Sequence, residues 1–480
     1  MSILVVDAGS SSVRAAIVRP DGSVGHVHQR ATLPSTPAPG FVEIDAAALA
    51  EAALDVAGRS LADGGPVDAV GIANQRASTI VWDRATGIPV APGIAWQDLR
   101  TVPMCLMLRA NGVRLAPQAS ATKLALMVHT ADPDHRRDLC FGTVDSWLAW
   151  TLAGGGLHVT DATNAAVTGL VHLDASGWDH LILEGLDVPA EMLPRIVDST
   201  GVVGTADALD GAPPIAGIAG DQQASLVGQG CTRPGLAKAT FGTGGMLDLC
   251  VGGARPAFEV RGDHGCFPIV AWRRGGTDTW GIEAVMLSAG SCVEWLRDDL
   301  GILGSVSESE VVAERSLSRG EVWFVPALLG LGTPLWDFGA RGTLLGLTRG
   351  SGRAEIVRAV LDGVAHRGAD LVEAAEADAG LEIASLRVDG GMTANATFVQ
   401  ALADASQRPI EVSPVLEATT LGAAYLAGMA VGTWSGPEDT ADLWAPREVV
   451  EPRRRLDREG WLRAVQRAAG TVPELSALEF

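Results

Sequence analysis

The chain opens with I-L-V-V-D-A-G-S-S-S-V-R-A-A-I-V, residues 3–18: an apolar, β-branched run, a turn of glycine and serines, and a second apolar run. That pattern predicts a β-hairpin. A related one recurs at A-K-A-T-F-G-T-G-G-M-L-D-L-C-V, residues 237–251. Each is followed by a long stretch in which strand and helix periodicities alternate, which predicts a duplicated α/β architecture. We place the boundary near residue 228, giving halves 1–228 and 229–480.

Within the first half, V-D-A-V-G-I-A-N-Q-R-A-S-T-I-V-W-D-R-A-T-G-I-P-V (67–90) predicts two strands, with Thr86-Gly87 in a turn and Asn74 to Arg76 at a strand end. In the second, residues 354–377 carry apolar side chains at helical spacing with Gly380 as a stop. The run from Ser385 to Ala405 predicts a strand, a glycine loop and a helix that puts Phe398, Leu402 and Ala405 on one face. The stretch A-G-I-A-G-D-Q-Q-A-S-L-V-G-Q-G (216–230) sets Asp221 and two glutamines in a small, apolar run. Its plain reading is a strand ending at Gly220, a helix capped by Asp221, and glutamines facing water.

Composition narrows the field. At 480 residues the chain exceeds one ordinary core, and two large domains are expected. A formal charge of −21 argues against nucleic acid or an anionic membrane as the main partner. The six cysteines form no C-x-x-C pair, so they read as reduced core residues rather than a disulfide framework or zinc knuckle. The first residues lack a basic segment, and no uncharged apolar run of about 18 residues follows. The cytoplasm is the expected compartment.

Chemistry concentrates at the turns. Gly9, Ser10, Ser11 and Ser12 offer backbone N–H groups and hydroxyls without bulk, suited to phosphate oxygens. Gly242, Thr243, Gly244 and Gly245 offer the same. Either alone is usually just a turn. Asp7, directly before the first, is placed to hold Mg²⁺ beside a nucleotide, its plain alternative being an Asx turn. The V-D-G-G of residues 388–391 allows close backbone approach by a ligand. No G-x-x-x-x-G-K-[ST] or H-E-x-x-H occurs.

On these stretches the sequence resembles the FGGY family of carbohydrate kinases, its glycerol-kinase branch in particular. The resemblance rests on D-A-G-S-S-S-V-R (7–14), G-I-A-N-Q-R (71–76), I-A-W-Q-D-L-R-T (94–101), G-T-V-D-S-W-L (142–148), H-V-T-D-A-T-N-A (158–165), G-I-A-G-D-Q-Q-A (217–224), the turn at 242–245, A-G-S-C-V-E-W-L-R (289–297), G-T-L-L-G-L-T-R-G-S-G-R (342–353) and V-D-G-G-M-T-A-N (388–395). It runs nearly end to end. It implies two ribonuclease-H-like domains of the actin and hexokinase superfamily, ATP with Mg²⁺ as cofactors, and a small polyol or sugar as substrate. It also allows a homodimer or homotetramer. Asp221 stands at the family's general base, and Ser10, Ser11, Ser12, Arg14, Gly242, Thr243, Gly290, Glu294, Gly390, Gly391 and Asn395 match nucleotide positions, although the branch has Gln where Glu294 stands.

On the substrate side the resemblance carries over Arg76, Trp96, Asp221 and Gln222. It departs at three places: a Glu of the branch is Ala77 here, a pocket Tyr is Gln118, and a Phe is Met246. Losing an acceptor and two rings implies a roomier pocket, and so an acceptor larger than glycerol. Glycerol itself is the alternative. An actin-like ATPase with no small-molecule acceptor is the rival of another class, disfavoured by Arg76, Trp96 and Asp221 occurring together.

Overall fold

The structure, a computed structural model, describes residues 1–317, 321–415 and 417–478. Among them thirteen strands form one sheet: β1 (Ile3–Ala8), β2 (Ser12–Val18), β3 (Val24–Ala31), β4 (Ala69–Asn74), β5 (Thr200–Thr205), β6 (Pro214–Gly220), β7 (Ala237–Phe241), β8 (Gly245–Gly252), β9 (Phe267–Arg274), β10 (Thr277–Met286), β11 (Leu386–Asp389), β12 (Ile410–Val412) and β13 (Glu448–Val450). Their order, β13-β12-β11-β7-β8-β10-β9-β5-β6-β4-β1-β2-β3, holds the same plan twice. In the first half the order is β3-β2-β1-β4-β6-β5, with β1, β4 and β6 parallel and the others antiparallel to their neighbours. In the second it is β10-β8-β7-β11-β12-β13, with β7, β11 and β12 parallel. This is the expected ribonuclease-H-like arrangement, duplicated. Strand β9 joins the halves, pairing with β10 and touching β5 at Arg274 and Thr200.

Strand β1 is buried on both faces, so it reads as a continuous apolar run rather than an alternation. Leu4 and Val6 face helix α1 (Ala46–Gly64), packing with Leu49, Ala53 and Val56. That helix starts where Asp45 accepts the Ala48 N–H at 2.9 Å, and stops at Gly65, whose φ of 81° few other residues adopt cheaply. Ile3 and Val5 take the other face, under helix α6 (Ala418–Val431). Because α6 is packed nearly all round, its sequence is apolar on every side rather than amphipathic.

The halves are interlocked. Helix α2 (Asp221–Gly228) follows the first half's β6 yet packs on β8 of the second, while α6 belongs to the second half yet covers the first half's sheet. They cross backbone to backbone: a Cβ built on Gly228 would lie 1.9 Å from the Ala418 carbonyl oxygen, and one on Gly422 1.7 Å from that of Ala224. Helix α3 (Gly290–Asp298) follows β10. Helix α4 (Arg353–Ala379) ends at Gly380, φ 63°, as the sequence predicts. It packs with α5 (Ala396–Ser406), where Phe398, Leu402 and Ala405 are buried.

Candidate active site

Three parallel strands end together at one edge of the first half. The register pairs Ala8 with Asn74 and Asn74 with Gly220, so Asp7, Arg76 and Asp221 emerge at the carboxyl ends of β1, β4 and β6. In the second half β7 and β11 end side by side, Thr240 opposite Asp389, which brings the turns at 242–245 and 390–391 together. Carboxyl ends of parallel strands are where α/β folds form ligand crevices.

Several positions of the second-half turns have no room for a side chain. A Cβ on Gly290 would fall 2.6 Å from the Gly242 carbonyl, and one on Gly390, whose φ is 93°, 2.5 Å from that of Phe241. Gly290 N–H donates to the Gly242 carbonyl at 2.8 Å and Ala289 N–H to that of Thr243 at 2.9 Å. Gly242, Thr243, Gly290, Gly390 and Gly391 thus form one backbone-lined surface. In the first half the Gly9 N–H donates to the Ser12 carbonyl at 3.0 Å, and the Gln75 amide braces the Gly9 carbonyl at 3.1 Å. Ser10 accepts from the Trp96 indole at 3.2 Å, Ser12 accepts from Gln29 at 2.8 Å, and Ser11 is exposed. Arg14 pairs with Glu417 at 3.0 Å. Asn395 caps α5, accepting from the Phe398 N–H and donating to Ser309, each at 3.0 Å; Glu294 lies exposed on α3.

Asp221 is the first residue of α2, and the cap position is Gly220. The expectation that its role is to cap the helix therefore fails: among the described residues its carboxylate accepts only the Gln222 N–H, at 2.8 Å. The glutamines do not face water either. Gln223 is buried, and Gln222 accepts from the Lys238 ammonium at 2.5 Å. Burial raises the Asp221 carboxyl above its ordinary range, an effect that Arg76 offsets in part.

Arg76 Nε stands 3.5 Å from Asp221, and Nη2 is 2.7 Å from Glu283 and 4.0 Å from the Met246 sulfur. Burial alone would lower its basicity, but Glu283 and Asp221 hold it above the usual value. Its Nη1 is buried without a hydrogen-bond partner among the described residues. Trp96 and Gln118 are tied together by the buried Lys123, which donates to their carbonyls at 3.2 and 2.9 Å. Burial drops its ammonium to about 7. Ala77 is buried with φ 58°, a conformation the sequence pattern does not reveal.

Asp7 sits among acids. Burial and the Asp221 carboxylate push it up to about 6, against the pull of Arg14. A carboxylate so crowded is relieved by a divalent cation, and Mg²⁺ is typically held by one or two carboxylates with water and phosphates. Among the described residues no cluster of three or more His, Cys, Asp or Glu could hold a metal unaided. Asp7 therefore fits a shared site of that kind.

Sequence reasoning missed Lys238, Asp248 and Glu283. Lys238 and Asp248 are wholly buried and 2.7 Å apart, and Glu283 is nearly so. The available signal was a charge in the middle of each apolar strand, A-K-A-T-F and M-L-D-L-C.

Backbone-lined turns facing a strand-end carboxylate and a buried guanidinium suit the transfer of a phosphoryl group to a small hydroxylated acceptor. Comparison with known proteins bears out that class. Residues 2–228 match the N-terminal domain, and residues 237–431 the C-terminal domain, of the FGGY family of carbohydrate kinases. The chain belongs to this family, and it is a glycerol-kinase-like, ATP-dependent kinase. Glycerol kinase from Aromatoleum aromaticum is 43% identical, over 98% of this chain and 99% of that one. Among solved structures, a Plasmodium falciparum glycerol kinase with ADP matches with a TM-score of 0.88 at 26% identity, covering 100% of this chain and 99% of that one. A Brucella ovis structure described as a xyloylose kinase matches at 0.86 and 25%, covering 100% of both chains. No helix among the described residues is long and apolar enough to cross a membrane.

Proposed function

We propose that the enzyme transfers the γ-phosphoryl group of ATP to a terminal hydroxyl of a polyol or sugar larger than glycerol, with the catalytic halves divided near residue 228. The observation that carries the acceptor is Arg76: a buried guanidinium beside Asp221 has one nitrogen without a partner among the described residues, and a buried donor left so costs about 1–3 kcal/mol unless a ligand accepts from it. Asp221 takes the hydroxyl proton as that oxygen attacks phosphorus, and the burial that raises its pKa makes it a stronger base. Gln222 stays bound to Lys238, which steadies the start of α2. The turns at Gly9 to Ser12 and Gly242 to Gly245, with Gly290 and Gly390-Gly391, receive phosphate oxygens. Mg²⁺, held through Asp7, would neutralise charge on the phosphates. ATP supply and six buried free thiols suit the cytoplasm.

An acceptor larger than glycerol is supported by Ala77, a methyl beside Arg76, and by the flexible Met246 against that guanidinium. Glycerol itself is the second reading, favoured by the 43% identity to a protein named glycerol kinase. The test is kcat/KM for glycerol, erythritol, threitol and xylitol. The proposal expects four- and five-carbon acceptors to lead, and a preference for glycerol by orders of magnitude overturns it. Ala77→Glu sharpens the test. Glutamate is unbranched at Cβ and tolerates a left-handed φ much as alanine does. One charge-assisted bond of roughly 1.5–3 kcal/mol should move the ratio toward glycerol by about tenfold to a hundredfold.

A further inference from the structure

Under the substrate pocket lies a closed ring of polar groups drawn from both halves. Lys238 on β7 is the register partner of Asp248 on β8, and Asp248 that of Glu283 on β10, so the three side chains share one face of three adjacent strands. From Glu283 the ring passes to Arg76 at 2.7 Å and then to Asp221 at 3.5 Å. Through the adjacent Gln222 it returns to Lys238 at 2.5 Å. Two carboxylates directly opposite each other in a sheet repel, and here a cation stands at each end of the pair: Lys238 against Asp248, Arg76 against Glu283.

Buried ion pairs are poor devices for stability, since apolar side chains of similar volume often do as well or better. A ring of this kind is better explained by what it holds in place. Lys238 is committed to Asp248 and Gln222, which leaves Glu283 as the acid that fixes Arg76. Without it, the guanidinium is free to swing fully onto Asp221, its other acidic neighbour.

We propose that Glu283 is a positioning residue for phosphoryl transfer: from the second half it holds the Arg76 guanidinium of the first half off Asp221, so that Arg76 grips the acceptor while Asp221 stays free to take its proton. This rests on the roles proposed above for Arg76 and Asp221. Because Arg76 and Glu283 come from different halves, the pair also sets the depth of the cleft in which the acceptor sits.

The test is a double-mutant cycle of Glu283→Gln and Arg76→Met, read as kcat and KM for whichever of glycerol, erythritol, threitol and xylitol the wild type phosphorylates. Glu283→Gln should lower kcat about tenfold and raise the acceptor KM about tenfold, leaving the KM for ATP within about twofold. In the Arg76→Met background the same change should have an effect of about twofold or less. Equal losses in both backgrounds, or no loss in either, overturn the inference. If the wild type uses none of the four acceptors, the substrate reading fails by itself, and the cycle is run on ATP hydrolysis to water, which draws on the same Asp221. Should Glu283→Gln fail to fold, Glu283→Asp keeps the charge and retracts it; a loss that persists undiminished with Arg76→Met refutes the proposal equally.

Discussion

The two hairpins that announce the duplication carry the same local device and use it differently. On β1 and β2 the register partners are Asp7 and Arg14; on β7 and β8 they are Lys238 and Asp248. In the first the acid and base do not close on each other: Arg14 turns to Glu417, and Asp7 is left in acidic surroundings with its carboxyl pushed up to about 6. In the second they close at 2.7 Å out of reach of water. An acid–base pair across a hairpin can serve a ligand or the protein itself, and what decides is whether a third charge draws one partner away.

Four experiments press on that contrast, in decreasing order of expected effect. Asp221 lies on the helix between the two hairpins, and Asp221→Asn should cut kcat by about 10² to 10⁴ with ATP binding little changed; near-normal turnover in an ADP-release assay removes it as the base. Asp248→Asn leaves Lys238 buried without its counter-charge, which should cost about 3–5 kcal/mol in urea unfolding and leave the Mg²⁺ dependence of turnover unaltered. The mirror experiment, Asp7→Asn, should lose about tenfold to a hundredfold in turnover, partly recovered at raised Mg²⁺, with stability little affected. A Mg²⁺-independent phenotype there, or a stable Asp248→Asn protein, breaks the comparison.

The fourth sets the halves against each other through one histidine of each, His158 half-buried and His366 buried. His158 packs edge-on against Trp82 and donates from Nε2 to the Phe141 carbonyl at 2.7 Å, and burial lowers its pKa to about 4. His366 stacks on Trp461 beside Arg458, and burial with that charge lowers it to about 3. Each takes its proton near pH 6.5 when unfolded and resists it when folded, so the unfolded state binds more protons as pH falls from 6.5 toward 4. That part of the stability is lost on acidification, at up to about 1.4 kcal/mol per pH unit for each histidine. Relative to wild type, His366→Gln should gain stability between pH 6.5 and 4.5; a constant difference across that range contradicts the assignment.

Much of the fold was legible because its signals are local. The hairpins, the two strands that precede the Thr86-Gly87 turn and the helix stopped by Gly380 each follow from a run of residues and the glycine beside it. The turns proposed to receive the nucleotide share that property, since backbone lines them and small residues betray them. The floor of the proposed acceptor pocket does not. Arg76, Asp221, Lys238, Asp248 and Glu283 lie on or beside five elements from both halves, and only register and crossing bring them together. Gln222 and Gln223 show the same limit: next to Asp221 in a polar triplet they read as surface, yet one binds Lys238 and the other is buried, because α2 is pressed between the halves. The left-handed Ala77 has no signal, since alanine is not a residue that marks such a turn.

The crossing of α2 and α6 also dictates a timetable. The face of the first sheet formed by Ile3, Val5, Ala69 and Ala216 is covered by Leu421, Ala424 and Leu426, and those are made roughly 200 residues after the last of these strands. At about 5–20 residues per second a ribosome needs about 10–40 s to supply them. Through that interval the nascent first half has its strands and α1 but no cover for one apolar face. A chaperone that binds extended hydrophobic surface would find its target there, and would be displaced once α6 emerges and closes it.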